Sequence, residues 1–593
     1  MKAEAEKLYN YTGNNPFSDV QGRNYSDPGI SAEFIPTSIF WTLFNNHHEI
    51  LLGTRGCGKT FLLKMMRRSM VAKINHDLAR KIINENIYHP LYVPMHMETV
   101  SALNDKRIND ERKIILFKCI FNALLAESMI DELIDYLERN YEKKEQMEIN
   151  ARIALKILQT WFPDIDKGEV ADLQDLAIMV RQYSSNFDYI TGKLESIPVA
   201  FKRDFAGTLI SIQPILEKYM GIGDESVWLI CIDEAEFVPV LFQRCINSFM
   251  RSNTNRIVLK VATLPFYWET LSTLDENILI SAENDFNYRL LDMDSDSEDY
   301  IVLTNRICSH RLKNINMNVD SLEDFLGTVG NDNRIDYYRS IVGDDKAKSE
   351  QVIEDIRNAF SERRRMGSAS YPQKEKTIHQ KFAPILYVRE VYKMPHAKGK
   401  GRLVPGWYAG ADIVRKVSQG NPRLFIRLMS SLFSKATSNK FSTKLQHQVI
   451  YKFAEEFCNA SLAIEVDGHL VYHNLSETGK YIQYKVHQRE LISVGNTFLY
   501  RYKNEADFLK WKRWIQRAIA FSRICVSNDA VVSGLSQNTV YTFSNAYSVK
   551  YWIPMRSDVP TKVSTEIIDV GAVNYLKKGE DDRQMSMFNE GDD

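Results

Sequence analysis

The run Gly53-Thr54-Arg55-Gly56-Cys57-Gly58-Lys59-Thr60 constrains this chain more than any other feature. It matches G-x-x-x-x-G-K-[ST] in full. A short apolar run, Glu49-Ile50-Leu51-Leu52, precedes it, and a helical pattern follows from Lys59 with Leu62, Leu63, Met66 and Met70 on one face. Glycines let backbone N–H groups turn inward around an anion without Cβ clashes. The helix beginning near Lys59 aims the positive end of its dipole at the same place. Lys59 then supplies a point charge to the β- and γ-phosphates of ATP, and the Thr60 hydroxyl can ligate Mg²⁺. All eight residues, Gly53 to Thr60, are therefore candidates for holding the nucleotide.

A second stretch, Trp228-Leu229-Ile230-Cys231-Ile232-Asp233-Glu234-Ala235-Glu236, has the character of a buried strand ending in acids. Asp233 is assigned to the metal shell and Glu234 to the lytic water. Glu236 reads as an acid capping the next helix. The long interval between Lys59 and Asp233 is ascribed to an inserted helical stretch, about 101–215. The next strand ends Val261-Ala262-Thr263, so Thr263 is a candidate polar contact to the γ-phosphate or its water. Further on, Gly420-Asn421-Pro422-Arg423 opens a helix, with proline where the first turn tolerates it. A cation in a first turn opposes the helix dipole. An anion near Arg423, such as a γ-phosphate, would relieve that conflict.

These four elements, in this order, resemble the AAA+ ATPases, nearest to the initiator-like clade of origin-recognition ATPases and bacterial relatives found in phage-defence loci. Asn15-Pro16-Phe17 and Phe34-Ile35-Pro36 also look like that bacterial group, where the leading segment lies near the adenine. The resemblance covers about 15–97 and 227–436. It implies ATP and Mg²⁺ as cofactors, with Lys59, Glu234, Thr263 and Arg423 in catalysis. It also implies a helical lid and often a winged-helix domain. One departure concerns the arginine finger, which AAA+ rings place after the sensor 1 strand. Between Thr263 and the lid the only Lys or Arg is Arg289, inside an expected strand. Either Arg289 serves in an unusual place or hydrolysis works differently here.

The expected fold is α/β: a parallel-sheet P-loop core with a helical lid, a large helical insertion and a C-terminal winged-helix-like α+β domain. Residues 1–48 form an N-terminal segment near the nucleotide. The core runs over 49–295, with strands expected at 89–97, 227–232, 256–263 and 288–293. The lid spans 296–439, with a basic insertion at about 330–405, and the winged-helix-like domain 440–575, built of short helices and aromatic-rich strands. The tail, 576–593, reads as disordered.

Composition narrows the function classes. With 75 Lys and Arg against 76 Asp and Glu, no global field draws the protein to DNA or membrane. Seven scattered cysteines, with no C-x-x-C, read as reduced thiols in a cytoplasmic protein. The N-terminus lacks the apolar core of a secretory signal, and no apolar run approaches the roughly 18 residues of a membrane span. No L-S-G-G-Q, H-E-x-x-H or G-x-S-x-G occurs. A DEAD-type helicase would need a second RecA-like domain, and the nuclease pattern is incomplete.

Partner signals are local. Residues 360–405 hold eleven basic and three acidic side chains, interleaved with Tyr371, Phe382, Tyr387 and Tyr392. Such a segment can track a phosphate backbone and stack bases of DNA, or be a solvated insertion. Lys510-Trp511-Lys512-Arg513-Trp514 reads better as a helix burying its tryptophans. Gln584-Met585-Ser586-Met587-Phe588 looks like the pentapeptide that docks on the bacterial sliding clamp. An effector protein and a homo-oligomer are further expected partners. Two functions result: an ATP-hydrolysing molecular switch on or near DNA, or a nucleotide-gated signalling or scaffold protein with little turnover.

Overall fold

The computed structural model describes residues 15–18, 29, 31, 33–101, 103, 107–165, 168, 170–185, 197–223, 225–252, 256–328, 388–389, 391–393, 407–435, 441–488, 495–556 and 560–572. By packing, the chain divides into two units. One comprises Gln21–Gly53 and Gly58–Leu291; the other comprises Met1–Val20, Thr54–Cys57 and Asp292–Asp593. The first is built on a five-stranded sheet and the second on helices and a smaller sheet.

In the first unit the strands are β1 (Glu49–Leu52), β2 (Tyr88–Pro94), β3 (Val227–Asp233), β4 (Ile257–Thr263) and β5 (Asn287–Leu290). They lie in the order β2-β3-β4-β1-β5, every pair parallel. Every residue of β1, β3 and β4 is buried, which is why these strands read as continuous apolar runs rather than alternating ones. Because the strands are parallel, their C-terminal ends share one edge of the sheet. Register places Leu52 opposite Thr263 and Pro94 opposite Asp233, so the glycine loop, the acidic pair and Thr263 all leave the sheet at that edge. Ligands of open α/β sheets bind there.

Helices follow the expected stretches. Helix α1 (Lys59–Met66) leaves the loop. It buries Leu63, Met65 and Met66, with Leu62 only half-buried, and it ends before Met70, which belongs to a separate turn. The insertion between β2 and β3 contains α2 (Asp110–Asn140), α3 (Lys143–Trp161), α4 (Leu173–Ser185) and α5 (Gly207–Met220). The Asn109 side chain caps α2 by accepting the Arg112 N–H. A buried polar cluster ties α2 to the core. Glu132 Oε1 lies 3.2 Å from His89 Nδ1 in β2 and 3.6 Å from Arg68 Nε. Helix α6 (Val240–Ser252) joins β3 to β4.

The second unit carries α7 (Glu298–Lys313), α8 (Ala411–Ser418), α9 (Pro422–Lys435), α10 (Thr443–Asn459), α11 (Gly468–Gln488), α12 (Glu505–Ala520) and α13 (Asn545–Lys550). Its sheet, in the order β7-β8-β6-β9, comprises β6 (Thr497–Arg501), β7 (Ile524–Cys525), β8 (Tyr541–Phe543) and β9 (Thr561–Ser564). The pairs β6–β8 and β7–β8 are antiparallel and β6–β9 is parallel. The helices here are longer than expected: α10, α11 and α12 have 17, 21 and 16 residues. Trp511 and Trp514 of α12 are buried, as their spacing predicts. All seven cysteines are free. Among the described residues no helix is long and apolar enough to cross a membrane.

Candidate nucleotide site

At the C-terminal edge of the large sheet, Gly58 adopts φ 104°, which turns the chain into α1 at Lys59. The buried Lys59 ammonium donates to the Gly53 carbonyl at 2.6 Å. Asp233, the last residue of β3, is 1 % exposed. Its Oδ2 accepts the Tyr92 hydroxyl at 2.8 Å and its Oδ1 the Glu234 N–H at 2.9 Å. Burial pushes the Asp233 carboxyl up, while hydrogen bonds from Tyr92 and Thr60 pull it down. Thr60 and Asp233, placed in contact, offer a hydroxyl and a carboxylate, the hard oxygen donors Mg²⁺ takes beside phosphate oxygens. Among the described residues no group of three or more His, Cys, Asp or Glu could hold a metal ion. A magnesium bound mostly through nucleotide phosphates needs none.

Glu234 sits at φ 58° in the left-handed region, a strained position for a non-glycine residue. Its Oε2 lies 3.4 Å from His96 Nδ1, just beyond β2. Glu236, read from sequence as a helix-capping acid, lies inside a short 3-10 helix, Ala235–Phe237. Its Oε2 is buried without a hydrogen-bond partner. Burial raises its carboxyl, opposed by the nearby charge of Lys59. The Thr263 hydroxyl is likewise buried and unpartnered, while its carbonyl accepts the Gly53 N–H at 3.3 Å. Glu236 Oε2 and the Thr263 hydroxyl are thus buried with bonding capacity unused, the former within reach of the Lys59 charge. A phosphate beside Lys59 and its water suit such an edge.

Arg289 has a different setting. Its Nη2 lies 2.7 Å from Glu49 Oε1, and Lys260 contacts Glu49 Oε2 at 3.0 Å. Glu49 is the first residue of β1, at the strand end opposite the glycine loop. The guanidinium is engaged in this internal ion cluster.

In the second unit the middle of the loop, Thr54–Cys57, is gripped from several sides. Asn421 caps α9, its Oδ1 accepting the N–H groups of Arg423 and Leu424 at 3.1 and 3.2 Å. Its Nδ2 donates to the Arg55 carbonyl at 3.1 Å. The Arg423 N–H also faces the Gly56 carbonyl at 3.4 Å. Gly56 adopts φ +101°, and a Cβ there would meet Arg423 Cβ at 2.8 Å. Only glycine fits so close an approach. Asp292 accepts both the N–H and the hydroxyl of Thr54, the latter at 2.6 Å. The Arg55 N–H donates to the Ala520 carbonyl at the end of α12 at 3.0 Å, and its guanidinium lies 5.4 Å above the Phe521 ring. The leading segment packs on α9: Asn15 Nδ2 donates to the Ser430 carbonyl at 2.9 Å and Phe17 meets Phe433 at 5.2 Å.

Sequence reasoning missed Tyr92, His96, Asp292, Asn421 and Ala520. Only Asn421, directly before a helix-opening proline, carried a local signal, that of an N-cap residue. Of the basic segment 360–405, only 388–389 and 391–393 are described. Val391 is buried and Tyr392 stacks on His487 at 4.0 Å, so Tyr392 is spent on an internal contact. The pentapeptide 584–588 lies outside the described residues.

An all-parallel sheet with a glycine loop at the end of β1 and an acidic pair at the end of β3 defines a P-loop nucleotide-binding α/β protein. The sequence model of the ORC-CDC6-like family matches residues 15–563. The chain belongs to that family, one of AAA+ ATPases. No curated protein and no solved structure matches it significantly.

Proposed function

We propose that this protein is an ATP-binding and ATP-hydrolysing, Mg²⁺-dependent AAA+ molecular switch. The observation that carries the reading is the convergence of Lys59, Asp233, Glu234 and the unpartnered Thr263 hydroxyl at one sheet edge. Loop N–H groups and Lys59 hold the phosphates, and Thr60 with Asp233 holds Mg²⁺, whose charge neutralises phosphate oxygens when bound. Glu234 orients and deprotonates the water, and Thr263 donates to it or to the γ-phosphate. Arg423, seated on Gly56, relates the state of the loop to a helical lid over 296–439, with 440–575 as a winged-helix-like domain. DNA contact through 360–405, a sliding-clamp contact through Gln584–Phe588, an effector protein, homo-oligomerisation, a cytoplasmic location and a role in phage defence complete the proposal.

A second reading, a nucleotide-gated scaffold with little turnover, is favoured by the engagement of Arg289 with Glu49. Turnover separates the two. Glu234→Gln is expected to retain ATP yet lose about a hundredfold or more in kcat, whereas Lys59→Ala loses nucleotide binding. Wild-type hydrolysis no faster than that of Glu234→Gln decides for the scaffold.

A further inference from the structure

Arg523, in the turn between α12 and β7, is 7 % exposed. Its backbone is pinned, the N–H donating to Ala518 O at 2.8 Å and the carbonyl accepting the Ser544 N–H at 3.1 Å. Its guanidinium lies 3.8 Å above the Phe457 ring. Among the described residues it has no carboxylate within ion-pair distance and no hydrogen-bond acceptor, and its Nε is fully buried. Three further hydroxyls, of Ser522 beside it, of Ser544 whose N–H meets the Arg523 carbonyl, and of Ser548 in α13, are also buried without partners. Burial lowers the Arg523 pKa, Tyr547 and Cys458 oppose that, and Arg427 of α9, itself exposed, adds a smaller lowering.

A buried cation costs free energy unless an anion or acceptors compensate it. A ring face returns part of that, but it satisfies none of the five N–H donors. The groups around it are hydroxyls and a thiol, which carry no negative charge, and a second positive charge. Two guanidinium groups with hydroxyls and no carboxylate call for an oxyanion with several oxygens.

We infer that Arg523 is the buried ligand of a small phosphate group, with Arg427 at the exposed side of the site. Burial of Arg523 excludes a phosphodiester inside a polymer, which carries a chain on both sides. The occupant is therefore inorganic phosphate or the terminal phosphate of a nucleotide. The turn that carries Arg523 also meets the glycine loop, through Ala520 and Phe521, and the inference stands whether or not the chain hydrolyses ATP.

The test uses the full chain carrying Lys59→Ala, so that the loop lysine does not contribute, and measures radiolabelled inorganic phosphate by equilibrium dialysis. Saturable binding of one phosphate is expected. Adding Arg523→Met should weaken it about tenfold or more, the loss of a charged hydrogen-bonding partner, and Arg427→Ala should weaken it severalfold. Displacement by AMP at concentrations equal to phosphate assigns the site to nucleotide phosphates, and failure of AMP to displace assigns it to free phosphate. Absence of saturable binding, or affinity unchanged by Arg523→Met, overturns the inference. Should Arg523→Met not fold, unchanged affinity in Arg427→Ala, which alters only an exposed side chain, overturns it equally.

Discussion

Thr263 presents a hydroxyl in a fully buried position with no hydrogen-bond partner, a cost that a water, an ion or a bound ligand can offset. Replacing it with valine keeps the shape and removes the unpaired group. Thr263→Val is therefore expected to unfold at an equal or higher denaturant concentration than wild type while kcat falls about tenfold. A loss of stability near 1 kcal/mol in the variant would mean that the hydroxyl has a structural partner instead. His447 illustrates the opposite case, a buried polar group satisfied in its neutral form. Its Nδ1 accepts the Tyr408 N–H at 3.0 Å, and burial lowers its pKa from 6.5 to about 4. Since the folded value lies below the unfolded one, its contribution is present above about pH 6.5 and fades as pH falls from there towards 4. His447→Asn keeps an acceptor without a titrating ring, so urea midpoints at pH 7 and pH 5 should differ less in the variant than in wild type.

At the scale of elements, a buried charged contact is one of those that seat the helical insertion, beside the stacking of Phe117 on Phe242. Glu132 of α2 is 5 % exposed and Arg68 1 %. Burial pushes the Glu132 carboxyl up and the Arg68 guanidinium down, each opposed by the other's charge. Glu132→Leu strands Arg68 beside His89 and is expected to cost about 3 kcal/mol or more. Arg68→Met combined with Glu132→Leu should recover most of that, because a matched apolar pair replaces a buried ion pair with little loss. Chemical unfolding of the two variants measures both terms. The loop between β1 and α1 follows a similar logic. Its middle residues meet Asn421, Asp292 and Ala520, so three elements fix a segment whose glycines alone would leave it loose.

For the whole molecule, charge is balanced at −1, so any DNA contact must be local. If the cations of 360–405 supply it, DNA binding and any DNA-stimulated turnover should fall steeply between low and physiological salt. A response independent of salt would remove that segment from the role. Deleting Asp581–Asp593 should abolish retention on an immobilised bacterial clamp if the pentapeptide docks there.

The eight residues Gly53–Thr60 and the run ending Asp233-Glu234 were legible because their chemistry is written in contiguous residues with a strand on one side and a helix on the other. A parallel sheet could be inferred from strands alternating with helices, and Thr263 from its place at a strand end. Tertiary structure alone decided which residues serve them. Tyr92 reaches Asp233 across 141 positions and Asn421 reaches Arg55 across 366, and such pairings depend on strand order and register that no local pattern encodes. The same holds for Arg289. From sequence it was the one cation between Thr263 and the lid, in an unusual place for a finger, but the neighbouring strand put Glu49 within 2.7 Å, and a buried carboxylate claims the nearest cation because the interior offers it no water.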